Sequence, residues 1–126
     1  MSGLTLDAGA LIALEKGDRR MAVLIKRARE KRARLALPAG SLGQVWRDGA
    51  RQVALARLVA DSQAVELVPL DARAAREAGQ LCGVRRTDDV IDASVVLCAR
   101  ARGHVIATSD AADLRRLDPT LALIEV

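Results

Sequence analysis

The sequence predicts an α/β fold around a mostly parallel sheet covered by helices. Short apolar runs alternate with helical patterns from one end of the chain to the other. Several of those runs are almost wholly apolar, as strands covered on both faces must be. The 126 residues contain no repeat, low-complexity tract or linker, so one domain over residues 1–126 is expected.

Each element has its own local signal. Leu4 to Asp7 reads as the first strand, closed by an acid. Ala10 to Lys16 and Arg19 to Arg32 read as helices, the second with Met21, Leu24, Ile25 and Ala28 in an apolar stripe at helical spacing. Leu35 to Pro38 is the second strand, followed by helices over Gly40 to Trp46 and Ala50 to Asp61. Val65 to Pro69 is the third strand. Helices over Asp71 to Cys82, capped by Asp71, and Asp89 to Arg102 come next. His104 to Thr108 and Leu121 to Val126 complete the strands, each flanked by Gly, Pro, Asp or Ser.

Composition excludes several classes of function. Hydrophobic residues make up 51% of the chain, yet Phe and Tyr are absent and Trp46 is the single aromatic. The core must therefore be aliphatic, aromatic-rich recognition surfaces are ruled out, and Trp46 is expected to anchor packing or a dimer interface. Apolar stretches such as Val95 to Ala99 fall far short of the ~20 residues that span a bilayer. The first residues lack the basic start and cleavage site of a signal peptide, so the expected location is the cytoplasm, with no membrane partner. Cys82 and Cys98 have no C-x-x-C spacing and read as small buried hydrophobes. A single histidine, His104, excludes a His-pair ribonuclease, and the lack of a Gly-rich phosphate loop argues against an NTPase or dinucleotide enzyme.

The acids carry the chemistry. Asp7 ends the first strand, Asp88, Asp89 and Asp92 open a helix, and Asp110 and Asp113 follow the fourth strand. Ligands of open parallel sheets bind outside the carboxyl ends of the strands. Asp88 and Asp92, four apart, are expected to share a helix face. Carboxylates that converge without Lys partners repel one another, and a hard divalent cation, Mg²⁺ or Mn²⁺, resolves the repulsion. Taken singly, Asp88, Asp89, Asp110 and Asp113 also suit helix caps. Asp7 and Asp92 suit that role less, since each stands at the edge of an apolar surface and needs a partner.

Three segments together resemble a PIN domain, in particular the VapC-type bacterial toxins: Leu4 to Leu14 with Asp7, Val90 to Ser94 with Asp92, and Val105 to Leu114 with Asp110 and Asp113. The resemblance covers essentially the whole chain. It implies an α/β/α sandwich and a Mg²⁺- or Mn²⁺-dependent ribonuclease, usually a homodimer held inactive by an antitoxin. Asp7, Asp92 and Asp110 match the family's catalytic, metal-holding positions and Asp113 a peripheral acidic one. Thr108 or Ser109 would supply the hydroxyl that orients the first aspartate. One departure stands out: Gln44 falls where the family places a Glu. A Gln carbonyl can ligate a hard cation but brings no charge. The site either works with Gln44 as a neutral ligand, or the chain is a weak or inactive relative that serves as an RNA-binding or protein-interaction module. A receiver-like domain is a more distant alternative, since the paired acids expected after its first strand are missing.

The formal charge is +4, and all but three of the 20 basic residues are Arg. Residues 16–34 hold nine bases against two acids. A solvated helix face is the plain reading. The sharper one is a substrate-steering rim around the acids, with Arg19, Arg20, Arg27 and Arg34 as candidate contacts to RNA phosphates. If the antitoxin tail carries Arg or Lys, a guanidinium there can bind Asp7 and Asp92 and displace the cation.

Overall fold

The computed structural model describes residues 3–126. Its elements are β1 (Gly3–Leu6), α1 (Ala8–Glu15), α2 (Arg19–Glu30), β2 (Arg34–Pro38), α3 (Ala39–Val45), α4 (Val53–Ala60), β3 (Val65–Val68), α5 (Ala72–Arg85), α6 (Val90–Arg102), β4 (Val105–Thr108), α7 (Ala111–Leu117) and β5 (Leu123–Glu125). The strands form one sheet in the order β3-β2-β1-β4-β5, and each neighbouring pair is parallel.

Alternation along the strands divides the interior into two cores. Leu4, Leu6, Leu35, Leu37 and Ala107 pack against Leu11, Met21, Ile25, Leu55 and Leu58 of α1, α2 and α4. Ile106 turns the other way, toward Ala78, Val96, Ala99, Leu114 and Leu117 of α5, α6 and α7. The result is helices over both faces, an α/β/α sandwich. Without Phe or Tyr, cohesion comes from many aliphatic side chains, each contributing about 2 kcal/mol on full burial. Trp46 is 38% exposed and lies over Gly49, where a Cβ would come within 2.8 Å of the indole ring.

The strand order fixes where a ligand can bind. From β1 the chain proceeds to β2 and β3 on one side, then returns to place β4 and β5 on the other. The order reverses between β1 and β4, and their carboxyl ends open the crevice where ligands of such sheets bind. Asp7 directly follows β1, and Asp110 stands between β4 and α7.

Where boundaries differ from the sequence reading, side-chain hydrogen bonds explain most of the shifts. α1 starts at Ala8 because the Asp7 carboxylate accepts the Ala10 N–H at 2.9 Å. α4 waits until Val53 because Gln52 Oε1 accepts the N–H groups of Arg47 and Asp48 in a preceding turn. α5 runs on to Arg85 and ends at Arg86 in the left-handed region (φ 56°). Asp89 caps α6, which leaves Asp88 outside the helix, so Asp88 and Asp92 do not share a helix face. A seventh helix, α7, forms where only its capping acids were foreseen. His104 is half-buried, and its Nδ1 lies 3.0 Å from Thr5 Oγ1. Both cysteines are buried and free, and burial pushes their thiols up, which keeps them protonated. None of the described helices is long and apolar enough to cross a membrane.

Asp118 ties the second core together. Its Oδ2 accepts from Arg100 Nε at 2.8 Å, while Oδ1 accepts from Thr120 N (2.9 Å) and Thr120 Oγ1 (2.6 Å). The Thr120 bonds, then Arg100, hold this carboxyl below its usual range despite burial. Asp118→Ala should cost about 2 kcal/mol in chemical denaturation at pH 7, the scale of losing charged hydrogen bonds. A depressed carboxyl stabilises fully above its unfolded value of about 3.9, and the contribution is lost as pH falls through the lower folded value. The gap between wild type and variant should therefore narrow below about pH 4.

Candidate metal centre

Asp7 is 4% exposed and both of its oxygens are engaged. Oδ1 caps α1, and Oδ2 accepts a hydrogen bond from the hydroxyl of the fully buried Thr108. The same hydroxyl oxygen accepts the Asp110 N–H at 2.8 Å. One side chain thus joins the ends of β1 and β4 and sets both aspartates. The orienting hydroxyl is Thr108 and not Ser109, whose Oγ lies so close over Gly9 that a Cβ there would be 1.9 Å away. Only glycine fits at that approach.

Asp92 sits half-buried in the first turn of α6, and its N–H donates to Asp89 Oδ1 at 2.9 Å. Asp110 occupies the N-cap position of α7, yet its side chain makes no capping bond. Asp113 lies in the first turn of α7. One carboxylate oxygen from each of Asp92, Asp110 and Asp113 falls within 4.8 Å of the other two. Asp7 stands outside this trio but close enough to disfavour charge on Asp92 and Asp110.

Gln44 is exposed on α3, which packs against α1 and α6, and it makes no hydrogen bond with the acids. The helix is nevertheless near them: a Cβ on Gly40 would meet Ile91, the residue before Asp92, at 2.6 Å. One turn before Gln44, the buried Ser41 Oγ has no hydrogen-bond partner.

The electrostatics are those of a site that resists carrying its own charge. Burial, then Asp89, then Asp110 and Asp7 raise the Asp92 carboxyl to about 7. Asp110 is raised first by its hydrogen bond with Asp113 and then by burial. Burial raises Asp7, while the Thr108 and Ala10 bonds partly offset it. Among the described residues one cation pairs with the cluster: Arg116 Nη2 lies 3.4 Å from Asp113 Oδ1. Hard carboxylate oxygens, crowded and raised in pKa, fit a hard divalent cation that would replace protons with positive charge.

Two of the four arginines read as a rim, Arg27 and Arg34, lie away from the acids. Arg34 opens β2 opposite Gly3, at the amino end of the sheet, and Nη1 donates to Gln63 O at 2.7 Å. Arg27 is in the last turn of α2, at that same end. Because α2 ends where β2 begins, its later bases are carried away from the crevice. Arg19 and Arg20 instead flank a shallow groove with Val23, Leu24, Ile124 and Glu125. Sequence reasoning gave Asp89 only a capping role and assigned none to Arg116. The i,i+3 spacing of Asp113 and Arg116 was the available signal for the latter.

Asp92→Asn removes the most strained charge and should raise stability by about 2 kcal/mol at pH 8 in metal-free buffer. A carboxyl raised in the fold destabilises above its folded pKa, so wild type should gain stability as pH falls from 8 toward 5. The variant should gain less, as thermal melts across that range will show.

The PIN domain family model matches residues 4–118. Among solved structures, the chain is similar to Rickettsia felis VapBC2 bound to a DNA fragment from their promoter, with TM-score 0.70, 13% identity and 98% of each chain covered. It is similar to DNA-bound VapBC from Salmonella typhimurium, with TM-score 0.68, 17% identity, and 99% of this chain and 98% of that one covered. It is also similar to Mycobacterium tuberculosis VapC20, a sarcin-ricin loop cleaving toxin, with TM-score 0.60, 20% identity, and 85% and 88% covered. No curated protein matches by sequence.

Proposed function

The chain belongs to the PIN domain family, and on that premise we propose that it is a metal-dependent endoribonuclease, the toxin of a toxin–antitoxin pair. The observation that carries this reading is the meeting of Asp92, Asp110 and Asp113 beside Asp7 at the crevice between β1 and β4. Asp7, Asp92 and Asp110 would hold Mg²⁺ or Mn²⁺, with Asp113 at the margin and Gln44 as a neutral oxygen donor. When bound, such a cation supplies water of lowered pKa and neutralises charge on the scissile phosphate.

The chain's own groups do the rest. Thr108 keeps the Asp7 carboxylate in one orientation, so little reorganisation is needed when the site is loaded. Asp92, its carboxyl raised to about 7 by burial and its acidic neighbours, would exchange its proton for the cation when the site is loaded. Arg116 pairs with Asp113, and if that pair opened its guanidinium would be free to bind a phosphate oxygen.

Two of the similar structures are VapBC assemblies, which supports an antitoxin partner. Its tail would carry Arg or Lys into the acids, where a guanidinium binds carboxylates in a fork. A homodimer in the cytoplasm, organised as a single domain, completes the proposal. Gln44 favours a second reading, an inactive module that keeps the fold and binds RNA or protein.

Cleavage of a structured RNA in Mg²⁺ or Mn²⁺ separates the two. Wild type should cleave, while Asp7→Asn or Asp92→Asn should lose at least about 100-fold in rate. Asp7→Asn working at the wild-type rate would sink the assignment, and a wild type inert in both ions would leave the inactive module. Gln44→Glu should lower the Mg²⁺ concentration for half-maximal cleavage, since one added carboxylate strengthens a hard-cation site. An unchanged requirement would show that Gln44 takes no part.

A further inference from the structure

We propose that Arg29, Arg32 and Arg34 form a phosphate-binding pocket at the amino end of the sheet, which holds the RNA backbone away from the acidic crevice. The choice of RNA as occupant rests on the nuclease reading above. The pocket itself rests on geometry. α2 ends at Glu30, Arg32 adopts a left-handed backbone (φ 53°), and two residues later β2 begins, so three arginines close on one cavity of about 420 Å³. Asp61 and Gln63 line its far side.

Two of the three guanidiniums are already oriented. Arg29 Nη2 lies 3.2 Å from Asp61 Oδ2, and Arg34 Nη1 donates to Gln63 O at 2.7 Å. A guanidinium has five N–H donors, so most remain for a ligand. The pocket carries three positive charges against the single Asp61. The helix dipole accounts for Arg29 in the last turn of α2. It does not account for Arg34, which lies in a strand.

The remainder of the molecule makes such an anchor necessary. The acidic crevice repels a polyanion until a cation fills it, and base stacking is unavailable because Phe and Tyr are absent. Attraction must come from arginines on phosphates, and α2 and β2 bring three of them together at the opposite end of the sheet, roughly 13 Å along the strand axis by the rise of β2. A folded RNA can reach both ends at once, its backbone held at one and cut at the other.

Fluorescence anisotropy of a labelled RNA hairpin in EDTA, at about 50 and 200 mM KCl, tests the pocket without any cleavage. Arg32→Gly keeps the left-handed backbone and removes the charge; Arg34→Gln is the second probe, and Arg76→Gln on the exposed face of α5 matches the change in net charge. Each pocket variant should weaken binding about 3- to 10-fold and reduce the salt slope by about one, with Arg76→Gln changing affinity less than about twofold. Unchanged affinity in Arg32→Gly, equal weakening by Arg76→Gln, or no binding by wild type overturns the pocket. Wild type that binds in this way yet cleaves nothing in Mg²⁺ or Mn²⁺ overturns the nuclease reading and leaves the pocket standing.

Discussion

The hydroxyl of Thr108 is the joint on which the crevice depends. It donates a hydrogen bond to Asp7 and accepts one from the Asp110 N–H, so the ends of two strands separated by most of the chain are fixed to one another. That bond exists only because β1 and β4 are neighbours, and they are neighbours because the strand order reverses between them. The backbone supports it: Asp7 N–H donates to Ala107 O, and the Asp7 carboxylate starts α1. One buried carboxylate therefore ends a strand, begins a helix and faces a cluster of acids. Capping α1 leaves the same carboxylate beside the acids of the crevice.

The cluster is costly to keep. A half-buried Asp92 raised to about 7 and an Asp110 sharing a hydrogen bond with Asp113 are arrangements that a purely structural crevice would avoid. Functional sites collect such shifts because the repulsion is relieved when the ligand binds. The stabilising work is done elsewhere, by two aliphatic cores and by bonds such as those that converge on Asp118.

Charge is segregated along the sheet axis. Acids gather at the carboxyl ends of β1 and β4, while Arg29, Arg32 and Arg34 gather at the amino end of β2. The segregation follows from connectivity: a helix that leads back to the start of a parallel strand must end at the amino edge, and α2 carries its later bases there. A chain with net charge +4 can thus present opposite fields to the two ends of one long anionic ligand.

Strand positions, helix stripes and the family's three acidic segments were legible in the sequence, since period-two and helical patterns and the spacing of Asp7, Asp92 and Asp110 are local properties of the chain. The same locality set the limit. Whether Thr108 or Ser109 would meet Asp7 depended on which side of β4 faces β1 and on how closely Gly9 approaches. That Asp110 and Asp113 meet Asp92 depended on how α6 and α7 pack. Arg27 and Arg34 looked like a rim for the acids because both lie in one basic run, yet only the path of α2 across the sheet decides that they stand at its far end. Sequence determined which groups are present and what each can do, because chemistry and periodicity belong to single residues and their near neighbours. The tertiary structure alone decided which of those groups meet, because contacts between distant residues are set by strand order and helix direction, which no local pattern encodes.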